Sequence, residues 1–272
     1  MRTVPGSFRG VHSEIAAIDL LLRRKSLIWY AFGMGVYALV VIALYPTFKD
    51  DSGLDDFASS SETMAALFGI SGSLTSPAGW LNANIYSNFL PLVVLLVTIG
   101  YGASCLAGQN EDGTLGLVAT EPVSRRSIVV QKFAVMALLA IPVCVVTGLC
   151  ALAGRWFELT VGIGALVGTT VGVVLLGIVF GALAMTLGAV TGSRGSAVGI
   201  TAAVAAATYL LNSLAPVVNW LHPFRFVSPF FYAVGDNQLT DGLPVAWAAI
   251  LIGIAAVLLV AAVAAFERLD VQ

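Results

Sequence analysis

Charged residues are scarce in this sequence. Of 272 residues, 13 are Lys or Arg and 15 are Asp or Glu, which makes 10% of the chain, whereas soluble domains carry about 25%. Hydrophobic residues make up 58%, and the mean hydropathy is +0.94. So few charges cannot cover the surface of a soluble fold of this length. The composition therefore excludes a soluble enzyme, a nucleic-acid-binding protein and a disordered chain, and it predicts an integral membrane protein.

Residues that carry chemistry are also few. The three cysteines, Cys105, Cys144 and Cys150, lie in apolar runs and have neither a disulfide framework nor metal-ligand spacing. The sequence contains no Gly-x4-Gly-Lys-Ser/Thr phosphate loop and no His-Glu-x-x-His motif. We therefore expect that the chain itself binds no metal and no nucleotide cofactor.

One short segment resembles a catalytic motif. Gly69-Ile70-Ser71-Gly72 matches the Gly-x-Ser-Gly of intramembrane serine proteases. Such an enzyme needs a histidine beside the serine to accept its proton, and both Ser71 and His222 fall in predicted outer loops. An intramembrane protease stays an alternative that labelling of Ser71 by a fluorophosphonate tests.

Six apolar stretches are long enough to cross a bilayer as helices, which takes about 20 residues each. They predict an all-α membrane protein with a single transmembrane domain over residues 1–272 and no nucleotide-binding domain. The predicted spans are about 26–46, 85–108, 127–154, 161–192, 196–215 and 244–266.

The basic residues predict the orientation, because cytoplasmic loops are enriched in Lys and Arg. With both termini cytoplasmic, most of the basic residues fall inside: Arg2, Arg9, Arg23, Arg24, Lys25, Arg125, Arg126, Lys132, Arg194 and Arg268. Only Lys49, Arg155 and Arg225 remain outside. The excess of Arg over Lys, with abundant Ala, Val and Gly, favours a prokaryotic plasma membrane.

The segment before the first span has an amphipathic pattern. Val11, Ile15, Ile18 and Leu22 fall on one helical stripe, with Asp19 turned away from it. We expect residues 8–25 to form a separate helix in the cytoplasmic interface.

The spans carry almost no ionisable groups. Lys132 lies near the start of the third span, close enough to the cytoplasm for its ammonium to reach water. Ion-driven carriers keep a carboxylate or histidine within the membrane, so its absence argues against one. An ATP-independent channel or secondary carrier remains an alternative.

Small residues at four-residue spacing allow close approach of membrane helices. In the fourth and fifth spans we expect such packing at Gly164, Gly168, Gly172, Gly199 and Ala203, and we expect both spans to be buried in protein. The last outer loop, residues 216–243, is rich in aromatic residues and proline. It is predicted to lie among the headgroups, to re-enter between helices, or to cap a pathway.

The loop between the second and third spans is the most informative segment. Asp112 or Thr114 can begin a short helix that Pro122 ends, and Ser124 can cap the third span. The short helix presents Leu115, Leu117 and Val118 among charged neighbours. An apolar face of this kind suits docking into a groove on a cytoplasmic protein.

This loop resembles that of the permease subunits of ABC-2-type ATP-binding cassette transporters. Their first cytoplasmic loop reads Glu-x-Gly-Thr-Leu, then Pro-Val-Ser-Arg-Arg and a Lys in the next helix. The corresponding residues are Glu111, Gly113-Thr114-Leu115, Pro122-Val123-Ser124-Arg125-Arg126 and Lys132. Ser228-Pro229, followed by aromatic residues before the last span, is also similar to this family.

The resemblance implies half of an ATP-driven exporter. A second copy of the chain, or a homologous permease, would pair with it, and two copies of a separate ABC ATPase would bind ATP and Mg. Coupling to the ATPase would involve Glu111, Asp112, Thr114, Leu115, Leu117, Val118, Glu121, Arg125 and Arg126. By the same resemblance, the second and fifth spans would line the pathway, with Asn88, Tyr101, Tyr209 and Asn212 as candidate lining residues. The resemblance does not identify the substrate.

Overall fold

The computed structural model of the chain describes residues 11–50, 53, 73–108, 124–235 and 238–268, with side chains from residue 19 onward. All regular secondary structure in these residues is helical, which confirms the predicted fold class. Six of the helices are long and apolar enough to cross a membrane.

The first helix, α1, is continuous from Val11 to Phe48. The sequence predicts two elements here, an interfacial helix over 8–25 and a span over 26–46, but the structure shows no break between them. The reason is local, because no glycine or proline occurs between Val11 and Gly33 to interrupt the backbone hydrogen bonds. The first span is therefore the continuation of the N-terminal helix.

The second span is interrupted twice. It begins with α2, Pro77–Leu81, capped by the Ser76 hydroxyl, and continues through a π-helical turn, Asn82–Tyr86. It resumes as α3, Phe89–Ala103, and its described part closes with a second π-helical turn, Ser104–Gly108. It thus begins several residues before the predicted start at residue 85, and its two π turns are of a kind that is frequent at functional sites.

The other spans are regular helices. They are α4 (Arg125–Ala153, followed by a 3₁₀ turn, Gly154–Phe157), α5 (Ile163–Thr191) and α6 (Arg194–Leu214). After the connecting segment comes α9, Val245–Glu267. We call the end of the bundle where Arg23, Arg125 and Arg194 lie the basic end.

The aromatic segment between α6 and α9 folds back onto the bundle. It contains a 3₁₀ turn, His222–Val227, then α7, Pro229–Val234, and α8, Gln238–Asp241. The Phe230 ring lies 5.6 Å from Phe180 of α5 and 5.5 Å from Tyr209 of α6. Since Phe180 is far along α5, the segment re-enters between the helices, one of the three arrangements that the sequence left open.

Helix α5 is the centre of the bundle, as its glycines show. A Cβ on Gly181 would overlap the Met136 sulfur of α4, and one on Gly177 would lie 2.5 Å from Val94 of α3. The fourth span is therefore buried in protein, as expected.

The predicted packing glycines behave differently from one another. A Cβ on Gly172 would overlap the carbonyl oxygen of Ala233, and one on Gly168 would lie 2.7 Å from the backbone nitrogen of Leu243. The lack of a side chain at these two glycines thus leaves room for the re-entrant segment rather than for a neighbouring span. A Cβ on Gly164 or Gly199 would have nothing within 4 Å, and Ala203 is exposed. Among the described residues, these three positions are exposed on the surface of the single chain.

We predict that Gly172→Ala lowers the free energy of unfolding by about 1–3 kcal/mol, because the added methyl group forces the Ala233 backbone away. Gly164→Ala in the same helix is the matched control. It meets open space and gains helix propensity, so its stability should be unchanged or slightly higher. Thermal unfolding of both variants in detergent measures the difference, and equal melting temperatures would contradict the close approach.

Candidate functional site

An apolar groove runs between α3 and α6. It has a volume of about 740 Å³, within the usual range for small-molecule sites. Its walls follow the second span from Ser87 to Gly100 and α6 from Arg194 to Tyr209, a length of about 20 Å at the rise of an α-helix. Most of the lining is aliphatic or small: Pro91, Leu92, Leu95, Leu96, Ile99, Val198, Ala202, Ala205 and Ala206.

The polar groups of the groove lie at its two ends. At one end, the Tyr209 hydroxyl donates to the side-chain oxygen of Asn88, and the Asn88 amide donates to the Ala83 carbonyl at 3.0 Å. Asn88 stands where the π turn gives way to α3, so the interruption of the helix places this amide. Arg194 lies at the basic end of the groove.

The structure separates the four predicted lining residues. Asn88 and Tyr209 line the groove and contact each other across it. Asn212 is half-buried and is not among the lining residues. Tyr101 is also absent from the lining, because it is 1% exposed and its hydroxyl donates to Asp19 of α1 at 2.7 Å. Tyr101 therefore lies outside this groove.

Tyr101 belongs instead to a cluster of charged and polar groups at the basic end, which we call the Asp19 cluster: Asp19, Arg23, Tyr101, Ser104 and Lys132. The Asp19 Oδ2 atom accepts from the Tyr101 hydroxyl and also from the Lys132 ammonium, the latter at 3.2 Å. One carboxylate oxygen therefore joins the first, second and third spans.

Lys132 is buried deeply in this cluster. Its side chain is 1% exposed, and that of Asp19 is 17% exposed. The expectation that the ammonium reaches water is therefore wrong, because α1 packs over it and supplies a counter-charge instead. A buried ammonium without such a partner is strongly unfavourable.

Arg23 completes the cluster, one helical turn after Asp19. Its guanidinium donates to the Ser104 hydroxyl at 2.8 Å and lies 4.9 Å from the centre of the Tyr101 ring. Ser104 in turn donates to the Gly100 carbonyl at 2.8 Å. Ser104 is the first residue of the π turn that ends the second span.

Arg125 and Arg126 hold the start of α4 against the end of α9. Arg125 donates to the carbonyl oxygen of Phe266 at 3.3 Å, and Arg126 pairs with Glu267. The other predicted coupling residues, Glu111, Asp112, Thr114, Leu115, Leu117, Val118 and Glu121, lie outside the described residues.

At the opposite end, an exposed ion pair joins Lys49, just after α1, to Glu158, just after the 3₁₀ turn that follows α4. The hydrogen bond to the Glu158 carboxylate raises the pKa of Lys49 above its usual value. Among the described residues, no three His, Cys, Asp or Glu side chains group together as metal ligands would.

The sequence-based interpretation missed the Asp19 cluster, although a signal was present. A lone lysine in an apolar stretch needs a partner, and Asp19 and Arg23 share one face of a helix at a spacing of four. An interfacial helix over residues 8–25 places Asp19 in water, so that prediction does not offer Asp19 as a partner for Lys132.

Six helices are long and apolar enough to cross a membrane, and the groove between α3 and α6 has mostly apolar walls, as in a multi-pass membrane protein. Comparison with known families is more specific. The sequence model described as "ABC-2 family transporter protein" matches residues 13–271, and the chain belongs to this family. This confirms the resemblance carried by the loop at 111–132, and it makes the chain a membrane transport component rather than a catalytic subunit. No curated protein sequence matches the chain.

We predict that Asp19→Asn lowers the free energy of unfolding by about 3–5 kcal/mol, because it leaves the buried Lys132 ammonium without a counter-charge. Thermal unfolding in detergent measures the loss. Replacing both partners, as Asp19→Leu with Lys132→Met, should restore most of the stability, since an apolar pair of similar size leaves no buried charge.

Arg126→Met is the control for the Asp19 prediction. It breaks an ion pair whose side chains are 74% and 40% exposed, so water replaces the lost contact. We expect an unchanged melting temperature. A drop as large as that of Asp19→Asn would show that burial does not determine the strength of these pairs.

Proposed function

We propose that the chain is the permease subunit of an ATP-driven exporter, which pairs with a second permease and is driven by a separate ABC ATPase. Membership of the ABC-2 family supports this assignment. ATP and Mg would bind to the ATPase, since this sequence has no phosphate loop. Both termini and the 111–126 loop would lie in the cytoplasm of a prokaryotic cell.

The observation that carries the proposal is the groove between the second and fifth spans. These are the two spans expected, from the resemblance, to line a pathway at the interface of two permeases. The groove has apolar walls with polar groups at its ends, which suits a substrate that is apolar along most of its length.

The exposed side of α6 supports pairing at this groove. Small residues occur there, Gly199, Ala202, Ala203 and Ala206. Small residues let two membrane helices approach closely, and the exposed Ile200 and Val204 beside them are apolar. A second copy placed against α6 would cover the groove and turn it into an enclosed path.

Coupling through the 111–126 loop has structural support at both of its ends. The described part of the second span closes with the π turn Ser104–Gly108, and the third span begins at Arg125, capped by Ser124, whose hydroxyl accepts from the Ser127 amide. Both ends lie at the basic end of the bundle, near Arg23 and Arg125. A protein docked on this loop would thus push on two spans at once.

We predict that Leu115→Asp or Leu117→Asp abolishes association with the ATPase while membrane insertion stays intact, because a carboxylate on the apolar docking face must lose its water. Co-purification of an ATPase with the tagged chain is the measurement. Ser59→Asp, which adds the same charge to the predicted outer loop, is the matched control. Normal binding by both leucine variants would contradict coupling through this loop.

We predict that Ala202→Trp reduces ATP-dependent export of a fluorescent apolar dye by about tenfold or more, because the ring fills the groove and a clash of about 1–3 kcal/mol opposes entry of the substrate. Association with the ATPase should stay normal.

The control for Ala202→Trp is Val257→Trp, which adds an aromatic ring to an exposed position of α9 outside the groove. It should export the dye as the wild type does. Equal export by the two variants would show that the groove is not the path. Flux through the purified chain without ATP would favour a channel or secondary carrier instead.

A further inference from the structure

We propose that the Asp19 carboxylate is a positioning residue for energy coupling, which makes the first span move together with the two spans that carry the 109–123 segment. The proposal rests on the proposed function, in which an ATPase pushes on this segment. It assigns a role to the N-terminal helix, which neither lines the groove nor contains the docking loop.

Asp19 is linked to the spans on both sides of the 109–123 segment. Tyr101 lies two turns before Gly108, where the described part of the second span ends, and Lys132 lies two turns into α4. Both groups donate to the same atom, Asp19 Oδ2, at 2.7 and 3.2 Å. The carboxylate therefore binds one group on each side of the 109–123 segment.

The π turn Ser104–Gly108 also contacts α1. Ser104 begins this turn and accepts from Arg23, which is on the same face of α1 as Asp19. A π turn is a place where a helix changes its hydrogen-bond register. The two links from α1 lie on either side of this boundary, at Tyr101 in the regular helix and at Ser104 in the turn. A change of register at the turn would therefore act directly on α1.

The Asp19–Lys132 pair connects α1 firmly to α4. The Lys132 side chain is 1% exposed, so separating it from Asp19 would leave a charge in an apolar environment. The unfavourable separation makes α1 and α4 move as one body. At the opposite end, the pair of Lys49 with Glu158 is exposed, so water competes with it and it binds far less firmly. The firm connection between α1 and α4 is thus at the end of the bundle that carries the 109–123 segment.

A purely structural pair predicts a different outcome from a coupling pair. If Asp19 and Lys132 only hold the fold together, an apolar pair of similar size should replace them in every respect. If they transmit movement, the doubly apolar variant should fold and bind the ATPase but lose the transmitted movement, because apolar side chains slide past each other without a directional bond.

The experiment measures distances between spin labels in the complex of the full chain with its co-purified ATPase in lipid nanodiscs. Labels are placed at two exposed sites, Leu22 on α1 and Ile200 on α6, after replacement of the three native cysteines by alanine. Distances are recorded without nucleotide and after trapping with ATP, Mg and vanadate. The compared variants are the wild type and Asp19→Leu with Lys132→Met.

We expect a nucleotide-dependent shift of the Leu22–Ile200 distance in the wild type and loss of this shift in the doubly apolar variant, with ATPase binding and hydrolysis retained. Tyr101→Phe, which removes only the hydroxyl that donates to Asp19, should show a reduced shift. A full shift in both variants, or no shift in the wild type, would contradict the coupling role of Asp19. Either result would leave the proposed function unaffected. Failure of any ATPase to co-purify with the wild type would overturn the proposed function and this inference with it.

Discussion

A buried ammonium needs a counter-charge, and this requirement organises one end of the molecule. Lys132 is enclosed by the helices, and Asp19 of α1 is the group that neutralises it. To reach that position, α1 must pass over α4 and α3 as a continuous helix rather than lie flat beside the bundle. The pairing thus determines how the N-terminal helix enters the bundle, and Tyr101, Ser104 and Arg23 are arranged around it.

The groove and the Asp19 cluster are two separate features of the bundle. The groove between α3 and α6 is apolar along its length, with the Asn88–Tyr209 contact at one end and Arg194 at the other. The Asp19 cluster lies at the basic end and faces α1 instead. The second span takes part in both, because Gly100 lines the groove and the next residue, Tyr101, binds Asp19. A movement of this span at the basic end would change the shape of the groove directly, which is the behaviour expected of a driven permease.

The sequence predicts the spans well and the polar contacts poorly, for a physical reason. The lengths of apolar stretches are set by the bilayer, so six spans and the burial of the fourth follow from composition and spacing alone. The pairing of Asp19 with Lys132 joins residues far apart in the chain, and the sequence does not show which distant carboxylate a lysine in an apolar stretch will meet. The same limit applies to Tyr101, whose place depends on which face of α3 meets α1. Gly168 and Gly172 have the right spacing for helix packing, but only the fold shows that they admit the re-entrant segment.

In the proposed function, this chain moves its substrate only as part of a larger assembly that supplies ATP hydrolysis. Native mass spectrometry of the chain, extracted from its own membrane in polymer-bounded lipid discs, would detect that assembly. We expect a complex that contains two permease copies and an ATPase with a phosphate loop, from which the ATPase dissociates when residues 111–126 are altered. A chain that is recovered alone and carries substrate across vesicles without ATP would contradict it.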